Sequence, residues 1–503
     1  MADLFEISAL TLNCWGLKYI SALRTDRLAE IGRRIAVLAS SSSSPSTTPL
    51  SIVALQECWC YEDFAAIHEL TRHELPYAKF FHAGVWGAGL AVLSRWPITS
   101  TSMTPYALNG RPTAFWRGDW FVGKGLASAT VKVDDATTLE VLVTHTHAPY
   151  EGGQPDDSYL LHQVAQTWEA GKRIRAAAER GRLVLAMGDW NMTPDSLPYQ
   201  SLYLGAGSSG DASSPFVLHD TWRDLHPNAA LGNSYNPLEQ ARQQRHNPQG
   251  QQTVPTAAFN LAENGTASDN VLNTWRWPKD KQKRLQKAYA RRQTAASAGE
   301  DIASEFVIAP DTPDPRAKRL DYIFYAAPCP PAVSTPPASL WRTKTARVAM
   351  VEPHPTLGCS VSDHYAVAVT LVREPASAGT IQVDTAGVPT VLPSTFNNVL
   401  AELDRYMARE QSQRYWRGVH FFVSVAVTIG CYVAVWFSPR NFVAFLLTLL
   451  ASLGLATGVV DGLIALLFFG SEIRYIKDFQ WEIDNAKAAA SSVRAPSSHV
   501  EDK

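Results

Sequence analysis

The chain has 503 residues, of which 46% are hydrophobic and 18% are charged, and its formal net charge is −2. This composition suits a globular protein with a membrane part, and the small net charge argues against nucleic-acid binding through bulk charge and against a strongly acidic surface. The six cysteines are too scattered for a disulfide framework, and no secretory signal is visible, so we expect the main domain to face the reducing cytosol.

Short apolar segments alternate with polar, helix-like stretches from residue 4 to about residue 375, as in a layered α/β or α+β domain. Several segments are apolar on both faces, which predicts strands that are buried under helices or a second sheet. The predicted strands are Ile7–Leu12, Ser51–Leu55, Gly89–Leu93, Leu139–Thr144, Leu183–Met187, Arg319–Tyr325 and Tyr365–Val372.

Two polar stretches interrupt or follow this pattern. Residues 205–315 are rich in Asn, Gln, Ser, Gly and Pro around the basic run Lys279–Arg292, and we expect an irregular insertion there, within a catalytic domain of residues 1–375. The basic run is typical of a solvated helix face, although it would also suit anionic lipid. Residues 376–394 are predicted to be a linker.

The pattern changes at about residue 395. Residues 395–418 are predicted to form a juxtamembrane helix, and the uncharged run Val419–Phe437 is long enough to cross a bilayer. A break at residues 438–440 precedes a second apolar run, Asn441–Gly470, which contains the single charge Asp461. We therefore predict two transmembrane helices in residues 419–470 and a tail over residues 471–503, because a pair of buried core helices would not need such uncharged runs.

Basic residues flank this predicted hairpin. Positive charges favour the cytosolic side, which would put both ends of the hairpin and the large domain there. Arg440 in the loop opposes this assignment. The endoplasmic reticulum is the expected membrane and a mitochondrial membrane the alternative. Asp461 is costly in lipid unless it is paired, protonated or close to the interface. The flanking residues are Arg409, Arg414 and Arg417 before the first span and Arg474 and Lys477 after the second.

The strongest chemical signal is an ordered series of polar residues at the ends of the predicted strands. Each taken alone has an ordinary interpretation as a turn or core residue, but strand ends in packed sheets are where side chains converge on a cleft. The whole series therefore predicts one site. It consists of Asn13, Glu57, His145 with His147, Asp189 with Asn191, Asp321, and Asp363 with His364.

This ordered series resembles the endonuclease/exonuclease/phosphatase superfamily, whose fold is DNase I-like, over about residues 4–375. The segment Gly89–Arg95 followed by Pro97-Ile98 is also similar to a strand of that family. The resemblance implies an α+β, four-layer α/β/β/α sandwich with two sheets face to face, which is followed here by the two-helix transmembrane hairpin.

The oxygen-rich side chains favour a hard cation. Glu57, Asn13 and Asp363 are predicted to bind Mg²⁺, and no Cys/His cluster has the spacing of a zinc site. By resemblance to the family, His364 is the general base and Asp321 orients it.

The same resemblance assigns the remaining roles. Asp189 positions the attacking water or the metal, Asn191 holds a phosphate oxygen, and His145 is an acid or a phosphate donor. His147 is the less favoured substitute for His145.

A narrower resemblance points to the neutral sphingomyelinase branch and its fungal inositol phosphosphingolipid phospholipases C. It is carried by Leu12–Gly16, Leu55–Trp59 and Thr144–Tyr150, and Asp119 and Lys124 match a pair that gates the site in this branch. The resemblance implies hydrolysis of a membrane phosphosphingolipid to ceramide and a phosphorylated head group. The basic run Lys279–Arg292 suits anionic phospholipids as activators, and the small net charge and the hairpin argue against a nucleic-acid partner.

Three alternatives remain open from the sequence. They are an inositol-polyphosphate phosphatase, a DNA-processing nuclease, and an inactive membrane-tethered scaffold. The aromatic pairs Phe115-Trp116 and Trp120-Phe121 fit lipid insertion and core packing equally well. The sequence does not determine the preferred head group or the oligomeric state.

Overall fold

The computed structural model describes residues 4–40, 48–150, 157–194, 196–208, 216–227, 229, 254–292, 304–328, 339–375 and 393–494. The chain divides into two compact units. The first consists of Met1–Gly153 and His162–Val391, and the second of Gln154–Leu161 and Leu392–Lys503. The predicted linker lies almost entirely outside the described residues.

In the residues that the structure describes, the first unit contains two six-stranded sheets. The first sheet has the order β11-β12-β1-β2-β4-β3, in which only β1 and β2 are parallel neighbours. Its strands are β1 (Phe5–Asn13), β2 (Ile52–Gln56), β3 (Tyr77–Phe80), β4 (Ala91–Ser94), β11 (Ser339–Ala349) and β12 (Ala366–Pro375).

The second sheet repeats this pattern, with the order β5-β6-β7-β8-β10-β9 and one parallel pair, β7 with β8. Its strands are β5 (Ile98–Pro105), β6 (Gly125–Lys132), β7 (Thr138–His145), β8 (Leu183–Asp189), β9 (Phe216–Asp220) and β10 (Asp321–Pro328).

The two sheets pack face to face because alternate residues along their strands are apolar. Ile7 and Val92 of the first sheet share one buried cluster with Val141 and Met187 of the second. Residues on the opposite faces pack under helices. The helices are α1 (Arg24–Ala39) and α2 (Tyr61–Thr71) on the first sheet, and α4 (Leu160–Glu179) and α5 (Leu197–Ala206) on the second. This is the four-layer α+β sandwich predicted from the sequence.

All seven predicted strands are present, and the remaining strands were missed because their residues are polar or their segments are short. β5 is an edge strand with a largely exposed surface, so it lacks the apolar alternation that indicates a strand.

The expected irregular structure of residues 205–315 is wrong for several described segments. They form strand β9, helices α6 (Thr221–Leu225), α7 (Ala257–Ala262) and α8 (Lys279–Arg292), and a short 3₁₀ turn at Thr274–Arg276. A further short helix, α3 (Asp119–Val122), lies in the first part of the chain.

The second unit is built on long helices. α9 (Pro393–Trp436) runs without interruption through the predicted juxtamembrane and first apolar segments, and it is followed by α10 (Asn441–Leu463), a π-helical turn (Ile464–Phe469) and α11 (Gly470–Arg494). Pro393–Trp436 and Asn441–Ser491 are long and apolar enough to cross a membrane, and only 17% and 11% of their most apolar windows is buried. This exposure is unlike that of buried core helices.

Asp461 is not isolated between the two apolar helices. Its carboxylate accepts hydrogen bonds from Arg417 and from Nδ1 of His420, the latter at 2.7 Å. The possible cost of this charge in lipid is thereby offset by local partners. The first part of α9 packs against α11. The buried residues of both helices recur every three or four positions, as in a two-helix coil. These are Phe396, Val399, Leu403 and Tyr406 of α9, and Ile473, Ile476, Phe479 and Ile483 of α11.

A buried ion pair fixes the edge of the second sheet. Arg319 donates from Nη1 and Nη2 to the two oxygens of Asp220 at 3.0 and 2.8 Å, and Tyr199 donates to the same carboxylate at 2.9 Å. Asp220 ends β9 and caps α6, whereas Arg319 lies just before β10, so the pair ties these elements together.

We predict that Arg319→Met destabilises the protein by about 3–5 kcal/mol, because it leaves Asp220 as a buried charge without its guanidinium partner. Arg284→Met is the matched control. Its partner Glu305 and Arg284 itself are about half exposed, so a loss of about 0–1 kcal/mol is expected. Urea denaturation followed by tryptophan fluorescence measures both, and equal midpoints for the two variants would contradict the prediction.

Candidate active site

Three neighbouring strands of the second sheet present polar side chains at one level. In the sheet register, Asp189 of β8 pairs with His145 of β7 on one side and with Asp321 of β10 on the other. His145 Nε2 lies 3.5 Å from Asp189 Oδ2. Two carboxylates and an imidazole are therefore placed side by side by backbone pairing alone.

The first sheet contributes an amide and a carboxylate from its parallel pair. Asn13 ends β1 opposite Gln56, which ends β2 and is followed by Glu57. Asn13 Nδ2 donates to Glu57 Oε1 at 3.1 Å and to Asp189 Oδ2 at 3.0 Å, so one amide bridges the two sheets. Its oxygen accepts the Trp15 N–H at 3.0 Å. In this arrangement the amide nitrogen, not the oxygen, faces the carboxylates.

A third group of residues comes from the loop before β12. His364 Nδ1 lies 2.8 Å from Asp321 Oδ2, and its Nε2 lies 3.9 Å from Asp189 Oδ2. Ser362 donates from Oγ to the backbone oxygen of Asn13 at 2.6 Å, which fixes this loop to the end of β1. Asp363 is half-buried beside it, and its Oδ1 is 3.3 Å from Ser362 Oγ.

The turns that follow the strands are conformationally strained. Trp15, Glu57 and Asn191 adopt left-handed backbone conformations with φ of 47°, 51° and 46°. Such conformations cost about 1–3 kcal/mol each and persist where the surroundings enforce them. Gly16 is required beside them, because a Cβ at that position would lie 2.3 Å from the backbone oxygen of Glu57.

The electrostatics of the cluster are dominated by buried negative charge. Burial and the nearby Asp363 raise the pKa of Glu57 to about 7, and burial raises the pKa of Asp321 to about 6. His364 and His145 outweigh the effect of burial on Asp189 and lower its pKa. Burial opposes protonation of His364, but Asp321 and Asp189 outweigh it and raise the pKa of His364 well above its usual value.

These oxygens fit a divalent cation. Glu57 Oε2 is buried and has no hydrogen-bond partner among the described residues, and it adjoins an amide that also contacts Asp189. Ligand atoms of Asp189, Asp321 and His364 lie within 4.8 Å of one another. Carboxylate oxygens are hard donors, and a cation among them would offset the charge that burial disfavours.

The remaining predicted residues lie beside this cluster. Asn191 donates from its backbone N–H to Asp189 Oδ1 at 3.0 Å and from its side chain to the Thr146 oxygen at 3.0 Å. Burial and the positive charge of Lys124 lower the pKa of His145 to about 3. His145 is therefore neutral at neutral pH and is suited to donate a hydrogen bond rather than to act as an acid.

Asp119 and Lys124 form a buried ion pair of 3.0 Å next to the histidine segment. Lys124 Nζ also donates to the Thr146 oxygen at 2.8 Å, and Tyr150 donates to Asp119 Oδ2 at 2.6 Å. Burial favours a protonated Asp119, but Lys124 and His147 outweigh it and lower the pKa of Asp119 to about 2. His145 thus faces Asp189, whereas His147 Nε2 lies 3.7 Å from Asp119.

Three supporting residues were missed from the sequence. Arg27 donates to the backbone oxygens of Cys14, Trp15 and Val361. It therefore links the turn after β1 to the loop before β12. Gln163 donates to the oxygens of His147 and Asn191 at 2.8 Å each. Both lie on helices, where no strand-end pattern indicates them. Tyr150 lies within the motif Thr144–Tyr150, but the sequence did not predict that its hydroxyl donates to Asp119.

Comparison with known proteins identifies the family of the chain. The chain matches the model of the Endonuclease/Exonuclease/phosphatase family over residues 10–364. It belongs to this family. The family resemblance inferred from the strand-end residues is therefore confirmed.

Full-length similarity places the chain in one branch of the family. It is 32% identical to inositol phosphosphingolipids phospholipase C of Schizosaccharomyces pombe, over 96% of this chain and 94% of that protein. The protein of the same name from Saccharomyces cerevisiae is 30% identical, over 96% and 90%. Human sphingomyelin phosphodiesterase 2 is 35% identical, over 38% of this chain and 42% of the human protein. The predicted branch is thus confirmed.

We predict that Glu57→Gln separates folding from metal binding. Burial raises the pKa of Glu57 to about 7 in the folded protein, above its pKa in the unfolded chain. Ionisation of this side chain therefore lowers the folding stability as the pH rises from the unfolded pKa to about 7. Without divalent cations at pH 8, the variant should therefore melt at or above the wild-type temperature. Adding a divalent cation should raise the melting temperature of the wild type and have little effect on the variant.

The matched control is Glu62→Gln, which makes the same change at an exposed position. Glu62→Gln should respond to the cation as the wild type does. A Glu57→Gln variant that gains as much stability from the cation as the wild type does would remove Glu57 from the metal site.

Proposed function

We propose that this chain is a Mg²⁺-dependent, phospholipase C-type hydrolase of membrane phosphosphingolipids. Its substrates are inositol phosphoceramides, sphingomyelin or both, and its products are ceramide and a phosphorylated head group. The observation that carries this proposal is the convergence of the His364–Asp321 pair with Asp189, Asn13 and Glu57. The full-length similarity to two fungal phosphosphingolipid phospholipases C supports the choice of substrate.

The His364–Asp321 pair supplies the base. Asp321 accepts from Nδ1 at 2.8 Å, which leaves Nε2 to take a proton from water near Asp189. The carboxylate also stabilises the imidazolium formed when the proton arrives. The water oxygen then bonds to phosphorus as the bond from phosphorus to the ceramide oxygen breaks. The departing ceramide oxygen takes up a proton from solvent to give ceramide, and His364 releases the proton that it accepted to solvent.

Glu57, Asn13 and Asp363 are proposed to hold Mg²⁺, with Asp189 beside them. The Asn13 side chain would need to present its oxygen for this role, whereas its nitrogen now contacts Glu57 and Asp189. When bound, the ion would polarise the phosphoryl oxygen and offset the charge that develops in the transition state.

Hydrogen-bond donors surround the same point. We assign Asn191 to a phosphate oxygen and neutral His145 to the leaving-group side, where it donates from Nε2. The Asp119–Lys124 pair is proposed to gate the site, because an open pair would free the Lys124 ammonium for the phosphate. Lys124 already interacts electrostatically with Glu57, His145 and Asp189, which supports its place near the reacting groups.

A lipid substrate fits the exposed apolar surface of the first unit. Phe115 and Trp116 are 65% and 71% exposed, which excludes core packing for this pair. Trp86 is 55% exposed and stacks on Phe121 of α3, the helix that begins with Asp119. Exposed aromatic side chains of this kind insert into a lipid interface.

The two long apolar helices are proposed to anchor the enzyme in a membrane, with the catalytic unit and both ends of the hairpin on the cytosolic side. The endoplasmic reticulum is the proposed location and a mitochondrial membrane the alternative. The exposed cationic face of α8 supports anionic phospholipids as activators. A tether on the same chain raises the effective concentration of enzyme at its lipid substrate.

We predict ceramide release when purified, detergent-solubilised protein is incubated with Mg²⁺ and labelled inositol phosphoceramide or sphingomyelin. Glu57→Ala, Asp189→Ala and His364→Ala should each lower the rate at least about 100-fold while remaining folded. Glu62→Ala is the matched control and should retain the wild-type rate.

The same assay includes an inositol polyphosphate and DNA as substrates. Release of inorganic phosphate would favour a phosphatase, nicked DNA a nuclease, and no turnover an inactive scaffold. Each of these outcomes, without ceramide release, would refute the proposal.

We predict that Trp116→Ala lowers the rate on inositol phosphoceramide in vesicles about tenfold, because it removes an aromatic anchor from the lipid interface. Hydrolysis of a short-chain, water-soluble substrate should change less than twofold. Trp481→Ala removes an indole of similar exposure from α11, outside the catalytic unit, and should change neither rate. An equal loss on both substrates would show that Trp116 does not act through the membrane.

A further inference from the structure

A cavity of about 290 Å³ is lined largely by residues of the segment 205–315, which was predicted to be irregular. It lies beside the loop that carries Asp363 and His364. Ser268 forms backbone bridges with both His364 and Lys318, and Asp269, which directly follows it, lines the cavity. Asn273 donates to the backbone oxygen of Ser362 at 3.0 Å. The cavity wall is therefore joined to the loop that carries Asp363 and His364.

The cavity has an excess of positive charge. Arg276, Lys281 and Arg316 line it, whereas Asp269 and Asp314 are its acidic members. Asp269 is already paired with Arg276 and with Lys318, the latter at 3.0 Å. Asp314 Oδ2 accepts the Val271 N–H at 3.1 Å.

Arg316 has no carboxylate within ion-pair distance among the residues that the structure describes. Burial and the neighbouring Arg276 and Arg316 lower the pKa of Lys318, as expected where cations crowd together. Arg276 also interacts with Asp363, the residue before the proposed base. The positive charge of the cavity thus extends to the edge of the active site.

The aromatic wall of the cavity is not available to a quaternary ammonium group. Trp277 is the aromatic residue that lines the cavity in the described part of the chain, and Lys281 Nζ lies 4.0 Å from its ring centroid. Proteins bind choline by placing its cation on aromatic faces, and here a lysine ammonium occupies that position. Guanidinium and ammonium donors suit hydroxyl and phosphate oxygens instead.

We infer that this cavity, bordered by Arg276, Arg316 and Lys281, binds the polyol or phosphate oxygens of the substrate's head group and selects inositol phosphate over phosphocholine. The inference rests on the proposed function for its biological substrate. It assigns specificity to residues outside the catalytic cluster. Arg316 has the clearest role, because its charge is not used in a described ion pair.

The test compares kcat/KM for inositol phosphoceramide and sphingomyelin in the same mixed micelles with Mg²⁺. Arg316→Gln should lower the value for inositol phosphoceramide about tenfold and change that for sphingomyelin less than twofold. Arg347→Gln removes a charge from an exposed position of β11 that does not line the cavity, and it should leave both values unchanged. Equal losses on both lipids, or no loss on either, would overturn the inference.

A binding measurement separates this inference from the proposed function. Inositol 1-phosphate is titrated calorimetrically into the full-length protein with Mg²⁺ present, and Arg316→Gln should weaken its binding about tenfold. If the wild type hydrolyses neither lipid, the proposed function fails, and this weakening alone would still support the cavity as an inositol phosphate site. Undetectable binding, or binding that Arg316→Gln leaves unchanged, would refute it.

Discussion

The candidate active site depends on the burial of several carboxylates at one point between two sheets. Glu57, Asp189 and Asp321 lie at strand ends or directly after them, and sheet pairing places Asp321 beside Asp189. Ionised groups at such distances repel one another and lose hydration, so burial alone would protonate them. Asn13, His145 and His364 reduce this cost through hydrogen bonds and charge. One oxygen of Glu57 has no hydrogen-bond partner in the described part of the chain, which leaves a place for a cation. The proposed reaction depends on buried carboxylate charge that the protein neutralises only in part.

Rigid placement is what allows this charge to persist. Two parallel strand pairs, β1 with β2 and β7 with β8, end at the site, and one Asn13 amide connects them. Around them, the buried guanidinium of Arg27 binds three backbone oxygens of the loops, and the turns at Glu57 and Asn191 keep strained backbone angles. Such support keeps the groups from relaxing apart, which is the requirement for electrostatic catalysis.

The sequence predicted those parts of this arrangement that are carried by local pattern. Strands with buried faces on both sides were recognisable from continuous apolar runs, and the structure brings together the polar residues at their ends that were predicted to form one site. The exposed edge strand β5 carries no such signal, and the polar residues 205–315 concealed β9, whose Asp220 pairs with Arg319 across 99 residues. The roles of Arg27 and Gln163 were likewise unreadable, because a helix position does not reveal which distant backbone oxygen a side chain will reach. Contacts set by tertiary packing were the part that could not be derived.

Local partners also neutralise the charge of Asp461 in the apolar hairpin. Arg417 lies just before the uncharged run of α9, and Asp461 lies about 20 residues after the start of α10, so their contact puts the ionic cluster at one end of both apolar stretches. About 20 helical residues span about 30 Å, the thickness of a bilayer's hydrocarbon core. We propose that the turn at residues 438–440 lies at one membrane interface and that Arg417, His420 and Asp461 lie at the other. The π-helical turn Ile464–Phe469 then lies beyond the cluster, where α9 and α11 continue as a packed pair. We therefore propose that the second span ends near Asp461, whereas the sequence predicted that it continues to Gly470, and that Asp461 marks its boundary.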